Sequence, residues 1–253
     1  MRNALAAVAV SMVMLAGCQA SDPIARYNLG PARPVVEASV QQLGGLAAWQ
    51  DTREIHATGV LVYLDPDGRR VIEQMQIEMD IVHQTLAASG RLPSGPWKAL
   101  LKAPGRCEAQ GRPATSELCG ALGAVLHRSG GPLNMLFGGE RPTDVGRVQV
   151  AGKTYIRVGV AGGSFDTRAY YFDAGAGGDS GPAATAGELR FITNGGDAPG
   201  SAGTVTTFDN YAALNNGIRL PQTIRVYRIG GNVLMGQDVV MEIDLEAPRA
   251  VVD

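Results

Sequence analysis

The chain has 253 residues, with 22 basic and 24 acidic side chains and a formal net charge of −2 at pH 7. This balance gives no electrostatic reason to expect a nucleic-acid partner, because proteins that bind nucleic acid carry basic patches. A content of 34 glycines with only 6% aromatic residues indicates many turns and a thin core. That composition is more typical of a sheet protein than of a helical bundle.

The N-terminal segment has the pattern of a secretory signal peptide. Arg2 precedes an apolar run from Ala4 to Leu15, which as a helix would be about 18 Å long and too short to span a bilayer. Its last residues, Leu15-Ala16-Gly17-Cys18, resemble a bacterial lipobox. The resemblance implies cleavage before Cys18 and acylation of that cysteine, for example with palmitate. The alternative is an ordinary signal peptide that happens to contain a cysteine.

We therefore expect a signal peptide at 1–17 and a lipidated tether at 18–34, where prolines and glycines interrupt any periodicity. In such lipoproteins a residue other than Asp after the cysteine, here Gln19, implies the outer membrane, with the domain facing the periplasm. Loss of Arg2 with the signal leaves 21 basic against 24 acidic side chains. No later apolar run approaches 18 residues, so we expect attachment through acyl chains alone.

The first elements after the tether are a helix near 35–50 and a β-hairpin. Apolar residues recur there at three- and four-residue steps, although Gly44-Gly45 would weaken the helix and favour a break. A strand at about Ile55–Leu64 leads to Asp65-Pro66-Asp67-Gly68, which has the residues of a tight turn. The next strand alternates Met75, Ile77, Met79 and Ile81 with polar residues, so one of its faces is apolar.

The middle of the chain is predicted to contain an irregular stretch, a helix and several strands. Residues 90–116 contain four prolines and are expected to be irregular, and a helix is predicted at Glu117–Arg128 before Gly130-Gly131. A short apolar piece follows at Leu133–Phe137. Strands are then expected at Arg147–Val150, Thr154–Val160, Arg168–Asp173, Glu188–Thr193, Thr204–Asn210 and Thr223–Ile229. A last strand from Val239 to Glu246 alternates like the second one, and Pro248 is expected to end it.

These patterns predict an α+β, mainly β fold: a curved antiparallel sheet, or incomplete β-barrel, covered by two or more helices. The domain would cover 35–248.

Two stretches resemble the lipoprotein-localisation (LolA/LolB-like) superfamily. They are Leu43-Gly44-Gly45-Leu46 with Trp49 near the start, and Asn216-Gly217-Ile218-Arg219-Leu220-Pro221 with the strands after it. The resemblance implies an incomplete barrel with helices over its mouth and an apolar cavity for acyl chains. A soluble carrier of that family would lack an anchor, so Cys18 favours an anchored acceptor or another lipid binder. Leu133–Phe137 is a candidate, by composition, for the exposed apolar loop of an acceptor.

The leading hypothesis is a non-catalytic lipoprotein that binds a lipid, an acyl chain or a lipidated protein, with a function in lipid or lipoprotein trafficking. The apolar side chains expected to line its cavity are Met75, Ile77, Met79, Ile81, Met135, Leu136, Phe137, Ile224, Val226, Val239, Met241 and Ile243. Flexible methionines suit such a cavity. The same side chains could instead fill an ordinary core, which would leave a lipoprotein that acts through protein contacts.

Signals for chemistry are weak. Ser180 lies in Gly178-Asp179-Ser180-Gly181-Pro182, which nearly reproduces the nucleophile segment of trypsin-like proteases, but the histidine segment of those proteases is absent. A serine hydrolase is therefore the least favoured alternative. The three histidines have no closely spaced partner, so we expect no metal and no cofactor.

Two cysteines remain once Cys18 is acylated. In an oxidising periplasm Cys107 and Cys119 can form a disulfide that closes the loop between them. A redox-active pair is the alternative, although the two-residue spacing of thioredoxin-like motifs is absent.

Overall fold

The computed structural model describes residues 24–65, 67–102, 106–162, 167–174, 186–195, 203–229 and 239–252. The predicted signal peptide, Cys18 and Ser180 lie outside these ranges. No helix within them has the length and apolar character needed to cross a membrane.

Twelve strands and four short α-helices make up the described residues. In chain order they are α1 (Arg33–Gln42), α2 (Leu46–Gln50), β1 (Thr52–Leu64), β2 (Arg70–Asp80), β3 (Thr85–Leu92), β4 (Gly95–Lys102), β5 (Arg106–Gln110), α3 (Ser116–Gly130), α4 (Asn134–Phe137), β6 (Arg141–Val150), β7 (Lys153–Ala161), β8 (Thr167–Ala174), β9 (Ala186–Gly195), β10 (Gly203–Ala213), β11 (Arg219–Ile229) and β12 (Val239–Val252). Single 3-10 turns at Gly30–Ala32 and Gly131–Leu133 precede α1 and α4.

All twelve strands form one antiparallel sheet in the order β5-β4-β3-β2-β1-β12-β11-β10-β9-β8-β7-β6. Two meanders, β1–β5 and β6–β12, are joined because the first strand pairs with the last, from Thr52↔Val252 to Tyr63↔Met241. The edge strands β5 and β6 do not pair with each other, so the sheet stays open. The expected fold class, an antiparallel sheet not closed into a barrel and accompanied by few helices, is confirmed.

One side of this sheet, here called the inner face, carries the main core. Ile55, Leu61, Ile77 and Ile243 are buried on it and pack with apolar residues of the helices. Helix α3 contacts β1, β3, β4 and β11, whereas α1 lies against β9 and α2 against β1. An antiparallel sheet can leave one face in water, and the alternation of β2 shows this arrangement, with buried and exposed residues in strict turn from Glu73 to Met79.

The first hairpin follows the sequence prediction. The amide of Gly68 donates to the Asp65 carbonyl at 2.9 Å, and the amide of Arg69 donates to Asp65 Oδ1 at 2.7 Å. Gly68 has φ +76°, a conformation that glycine adopts without steric cost.

Three expectations about element boundaries are wrong. Residues 90–116 are largely regular, because β4, β5 and the end of β3 lie there. Pro248 does not end the last strand, which continues to Val252; Pro248 lies next to Ala247 (φ +46°) at a register shift, where a missing amide donor is tolerated. The tether predicted for 18–34 is not all tether, since Leu29 and Ala32 are buried in the main core.

The predicted helix near 35–50 is two helices, broken at Gly44-Gly45 as the glycines suggested. Both glycines have positive φ, +105° and +85°. The break lets Leu43–Gly44 approach the β10–β11 turn, where the amide of Arg219 donates to the Leu43 carbonyl at 3.0 Å. Trp49 Nε1 donates to the same carbonyl, also at 3.0 Å. The two stretches that carry the family resemblance are thus in contact.

Cys107 of β5 and Cys119 of α3 form a disulfide bond, as predicted. The bond holds the start of α3 against an edge strand of only five residues.

Replacement of Gly44 by alanine should lower the free energy of unfolding by about 2–3 kcal/mol. A Cβ there would lie 2.7 Å from both Gly217 O and Ile218 Cα, which are backbone atoms that cannot rotate away. Gly120→Ala is the matched control: its Cβ meets nothing within 4 Å, and alanine should add up to about 1 kcal/mol in a helix. Urea unfolding measures both, and equal effects of the two substitutions would contradict the contact.

Removal of the disulfide by Cys107→Ser with Cys119→Ser should lower the free energy of unfolding by about 3 kcal/mol, because the unfolded chain gains loop freedom. Thermal melts with and without a reductant measure it. The reductant should lower the melting temperature of the wild type and leave the double variant unchanged. A wild type indifferent to reductant would argue against a stabilising bridge.

Candidate functional site

The predicted lining residues of the central strands come together on the inner face. Cross-strand register places Met75 opposite Gly59, Ile77 opposite Ala57, and Ile243 opposite both Leu61 and Ile224. All of these predicted side chains are at most 6% exposed: Met75, Ile77, Met79, Ile81, Ile224, Val226, Met241 and Ile243. They belong to one core cluster with residues of α3, so they form an apolar layer between sheet and helix.

Val239 does not join them, and its prediction as a lining residue is wrong. The register pairs Val226 with Met241 but Tyr227 with Val239, so β12 carries one extra residue at this point. The extra residue is a β-bulge, which breaks the two-residue alternation. Val240 therefore packs against the core, and Val239 is 38% exposed.

The composition of segment 133–137 had suggested an exposed apolar loop, and that prediction is also wrong. Leu133, Met135 and Leu136 are buried, and Phe137 packs against the core with its ring centroid 6.0 Å from that of Tyr27. This segment therefore completes the helical cover of the inner face.

A polar cluster that the sequence did not indicate joins the β1–β2 hairpin to the segment after β5. Tyr63 donates to Glu73 Oε1 at 2.7 Å, and Arg112 Nη1 donates to Glu73 Oε2 at 2.6 Å. The Arg112 guanidinium also lies over the ring of Trp97, 4.9 Å from its centroid. Burial, together with the neighbouring Glu73, raises the pKa of the Tyr63 hydroxyl to about 12. Both oxygens of this buried carboxylate are thus occupied.

A second buried cluster lies where α3 ends. His127 Nε2 is 2.8 Å from Glu140 Oε1, and the hydroxyl of Tyr170 donates to Glu140 Oε2. Asn134 Nδ2 donates to the His127 carbonyl at 2.6 Å. Burial, then the charge of Glu140, raises the pKa of Tyr170 well above its ordinary value. This network fixes α3 and α4 to β8.

Arg128, which the sequence analysis did not single out, follows His127 of this network, and no carboxylate of the described residues pairs with it. It is 9% exposed, and among those residues its Nη1 donates to the Met241 sulfur alone, at 3.6 Å. Burial lowers the pKa of Arg128 to about 10, so the side chain stays charged at neutral pH. The sequence contains a signal for this burial. Arg128 follows Leu118, Ala121 and Val125 at helical spacing, so it continues the apolar stripe of α3.

The histidines and acidic residues of the described ranges do not form a cluster. These ranges contain no group of three or more His, Cys, Asp or Glu side chains that could hold a metal ion. His56 is 3.0 Å from Glu54, and His83 is 2.7 Å from Asp80, in two separate exposed or half-exposed pairs. Ser180 lies outside the described ranges.

Surface grooves occur on the opposite, polar side of β2–β5. One is lined by Gln76, Glu78, Ser89, Lys98 and Glu108. Its lining mixes charges of both signs, which suits water or a polar surface better than an acyl chain.

Comparison with known proteins gives likeness in architecture only. No protein-family model matches the chain, and no curated protein matches it in sequence. A LolA superfamily protein from Nitrosomonas europaea is 8% identical with a TM-score of 0.46, over 83% of this chain and 92% of that one. A DUF1329 family protein from Desulfovibrio piger is 9% identical with a TM-score of 0.47, over 87% and 93%.

A domain named for outer membrane lipoprotein sorting, from Vibrio parahaemolyticus, is 9% identical with a TM-score of 0.41, over 85% of this chain and 90% of that one. TM-scores below 0.5 describe general architecture, so the functions of these proteins carry no argument for this chain.

Replacement of Tyr63 by phenylalanine should change how stability depends on pH. A tyrosine in an unfolded chain ionises near pH 10, whereas folded Tyr63 stays neutral until about pH 12. Its contribution to stability is therefore full below about pH 10 and is lost as the pH rises through 12. Urea unfolding from about pH 9 to 12 should show the gap between wild type and Tyr63→Phe narrowing. A gap independent of pH would contradict the raised pKa.

Proposed function

We propose that the protein is an outer-membrane lipoprotein of the bacterial envelope that binds a lipid or an acyl chain against its inner face, with no catalytic role. The observation that carries this proposal is the layer of methionine and isoleucine side chains between the open sheet and α3. Three of its members, Met75, Met79 and Met241, are unbranched thioethers that can change rotamer to admit a chain of variable shape.

The covering of this layer is made of separate short pieces. Helix α3, the longest, has 15 residues, and α2 and α4 have five and four. Short helices gain most of their stability from packing rather than from their own hydrogen bonds. If an acyl chain displaced one of these pieces, the layer would lose apolar contacts with the helix and gain apolar contacts with the chain. The apolar area buried would then change little.

The second candidate function is an anchored protein with a filled core that acts through protein contacts. The burial of the predicted lining residues other than Val239 and the half-buried Phe137 favours it, since these side chains pack against one another in the described structure. The grooved polar side of β2–β5 would then be the surface that meets a partner.

Native mass spectrometry separates the two candidates. The full chain carrying Cys18→Ser, purified by gentle extraction from bacteria, should retain acyl lipids as bound mass. The Met75→Leu, Met241→Leu pair should lower the bound fraction several-fold, because leucine keeps the volume but loses the flexibility, with a change in stability below about 1.5 kcal/mol. Ile72→Leu, at an exposed position, is the control. A chain free of lipid under these conditions favours the filled core.

The anchor is tested separately. Wild-type chain expressed in bacteria should incorporate labelled palmitate and sediment with outer membranes, and Cys18→Ser should do neither, because no other residue of the lipobox can be acylated. Label that persists in Cys18→Ser would contradict the anchor.

A fluorophosphonate probe tests the serine-hydrolase alternative. Labelling of the wild type but not of Ser180→Ala would support a hydrolase.

A further inference from the structure

Within the described ranges, a buried positive charge at the inner face has no counter-charge. Arg128 lies in the last turn of α3 and is 9% exposed. Its Nη1 contacts a thioether, and its buried Nε has no hydrogen-bond partner in those ranges. In the described part of the chain the guanidinium makes no ion pair. Such a charge is strongly unfavourable in an apolar interior unless an anion neutralises it.

The buried acids of the described residues do not supply that anion. They are Glu73 and Glu140. Glu73 accepts from Tyr63 and Arg112, while Glu140 is bound by His127 and Tyr170. Each carboxylate thus has both oxygens occupied by its own partners. Neither of these two buried carboxylates therefore pairs with Arg128.

A second unsatisfied donor lies on the same row of the sheet. The register pairs Met241, the residue that Arg128 contacts, with Val226, and pairs Val226 with Thr206. Directly paired residues share a face, so Thr206 belongs to the inner face, two strands away or about 10 Å. Thr206 is fully buried, and its Oγ1 has no partner among the described residues.

We propose that Arg128 binds the acid group of an amphiphile, a carboxylate or a phosphate, whose acyl part lies along the methionine layer of the inner face. This inference rests on the proposed lipid-binding function and names its ligand class. The guanidinium fork matches both acid groups with paired N–H donors. Thr206 offers a further buried donor on the same face, about 10 Å along the row. Without such a ligand, a methionine in place of Arg128 would suit the apolar stripe of α3 better.

The test compares charged and uncharged ligands of equal chain length on the full chain carrying Cys18→Ser. Titration with oleate, oleyl alcohol, lysophosphatidate and monoacylglycerol should show at least about tenfold tighter binding of the two acids than of their uncharged counterparts. Arg128→Met should lose this preference and still bind the uncharged ligands. Arg128→Lys, which keeps the charge but not the fork, should retain part of it. Arg91→Met removes an exposed arginine and should leave the preference intact.

Each outcome bears on one claim. Equal binding of acids and uncharged ligands by the wild type overturns the role of Arg128 but leaves the proposed function standing. Absence of binding by all four ligands overturns both. Binding of inorganic phosphate as tightly as lysophosphatidate overturns the amphiphile and leaves an anion site. Preference for oleate over lysophosphatidate, or the reverse, identifies which acid the site accepts.

Thermal melts should show that Arg128→Met is folded and no less stable than the wild type. The substitution removes a buried charge without breaking an ion pair.

Discussion

The pairing of the first strand with the last holds this molecule together. β1 and β12 are hydrogen bonded along almost their whole length, although nearly two hundred residues separate them in the chain. Each meander alone would leave an apolar face and two free edges. Once joined, they offer a broad inner face that short helices can cover. Because so many contacts connect distant parts of the chain, folding is expected to be slow relative to helical proteins of the same size.

The buried charged residues lie against this inner face. Two acidic residues lie within it, and each is bound by a tyrosine and a basic side chain, so their burial is compensated. Arg128, on the helix that covers the face, differs from them, because its guanidinium makes no ion pair within the described ranges. That difference is the basis for proposing that it binds the acid group of a ligand.

The sequence predicted the elements whose signal is local. The alternation of β2, the Asp65–Gly68 turn and the helix predicted at Glu117–Arg128 each depend on few neighbouring residues, and the structure has them all. The Cys107–Cys119 disulfide followed from the two cysteines that remain after Cys18. Strands β3, β4 and β5 were missed because small and charged residues such as Ala87, Ser89 and Lys98 obscure the apolar alternation and prolines interrupt it. Pro96 is tolerated inside β4 near its first residue.

The features that failed depend on partners far away in the chain. The outward turn of Val239 comes from a bulge set by its pairing with β11, which the alternation of β12 alone cannot reveal. Arg128 has the local signature of a basic residue at a helix C-terminus, where it would normally interact with the last carbonyls in water. Its place at the helix end thus predicts exposure, whereas its place on the apolar stripe predicts burial. The contact with Met241, more than a hundred residues away, decides between them.

The two open edges of the sheet bear on whether the protein aggregates through its strands. β5 has only five residues, carries Arg106 and Glu108 and is disulfide-bonded to a helix, while β6 has Pro142 and a register shift close to its start. Short, charged, bulged or proline-bearing edges cannot easily template a foreign strand. An open sheet with such edges resists strand-to-strand association with another β-protein, although it is not closed into a barrel.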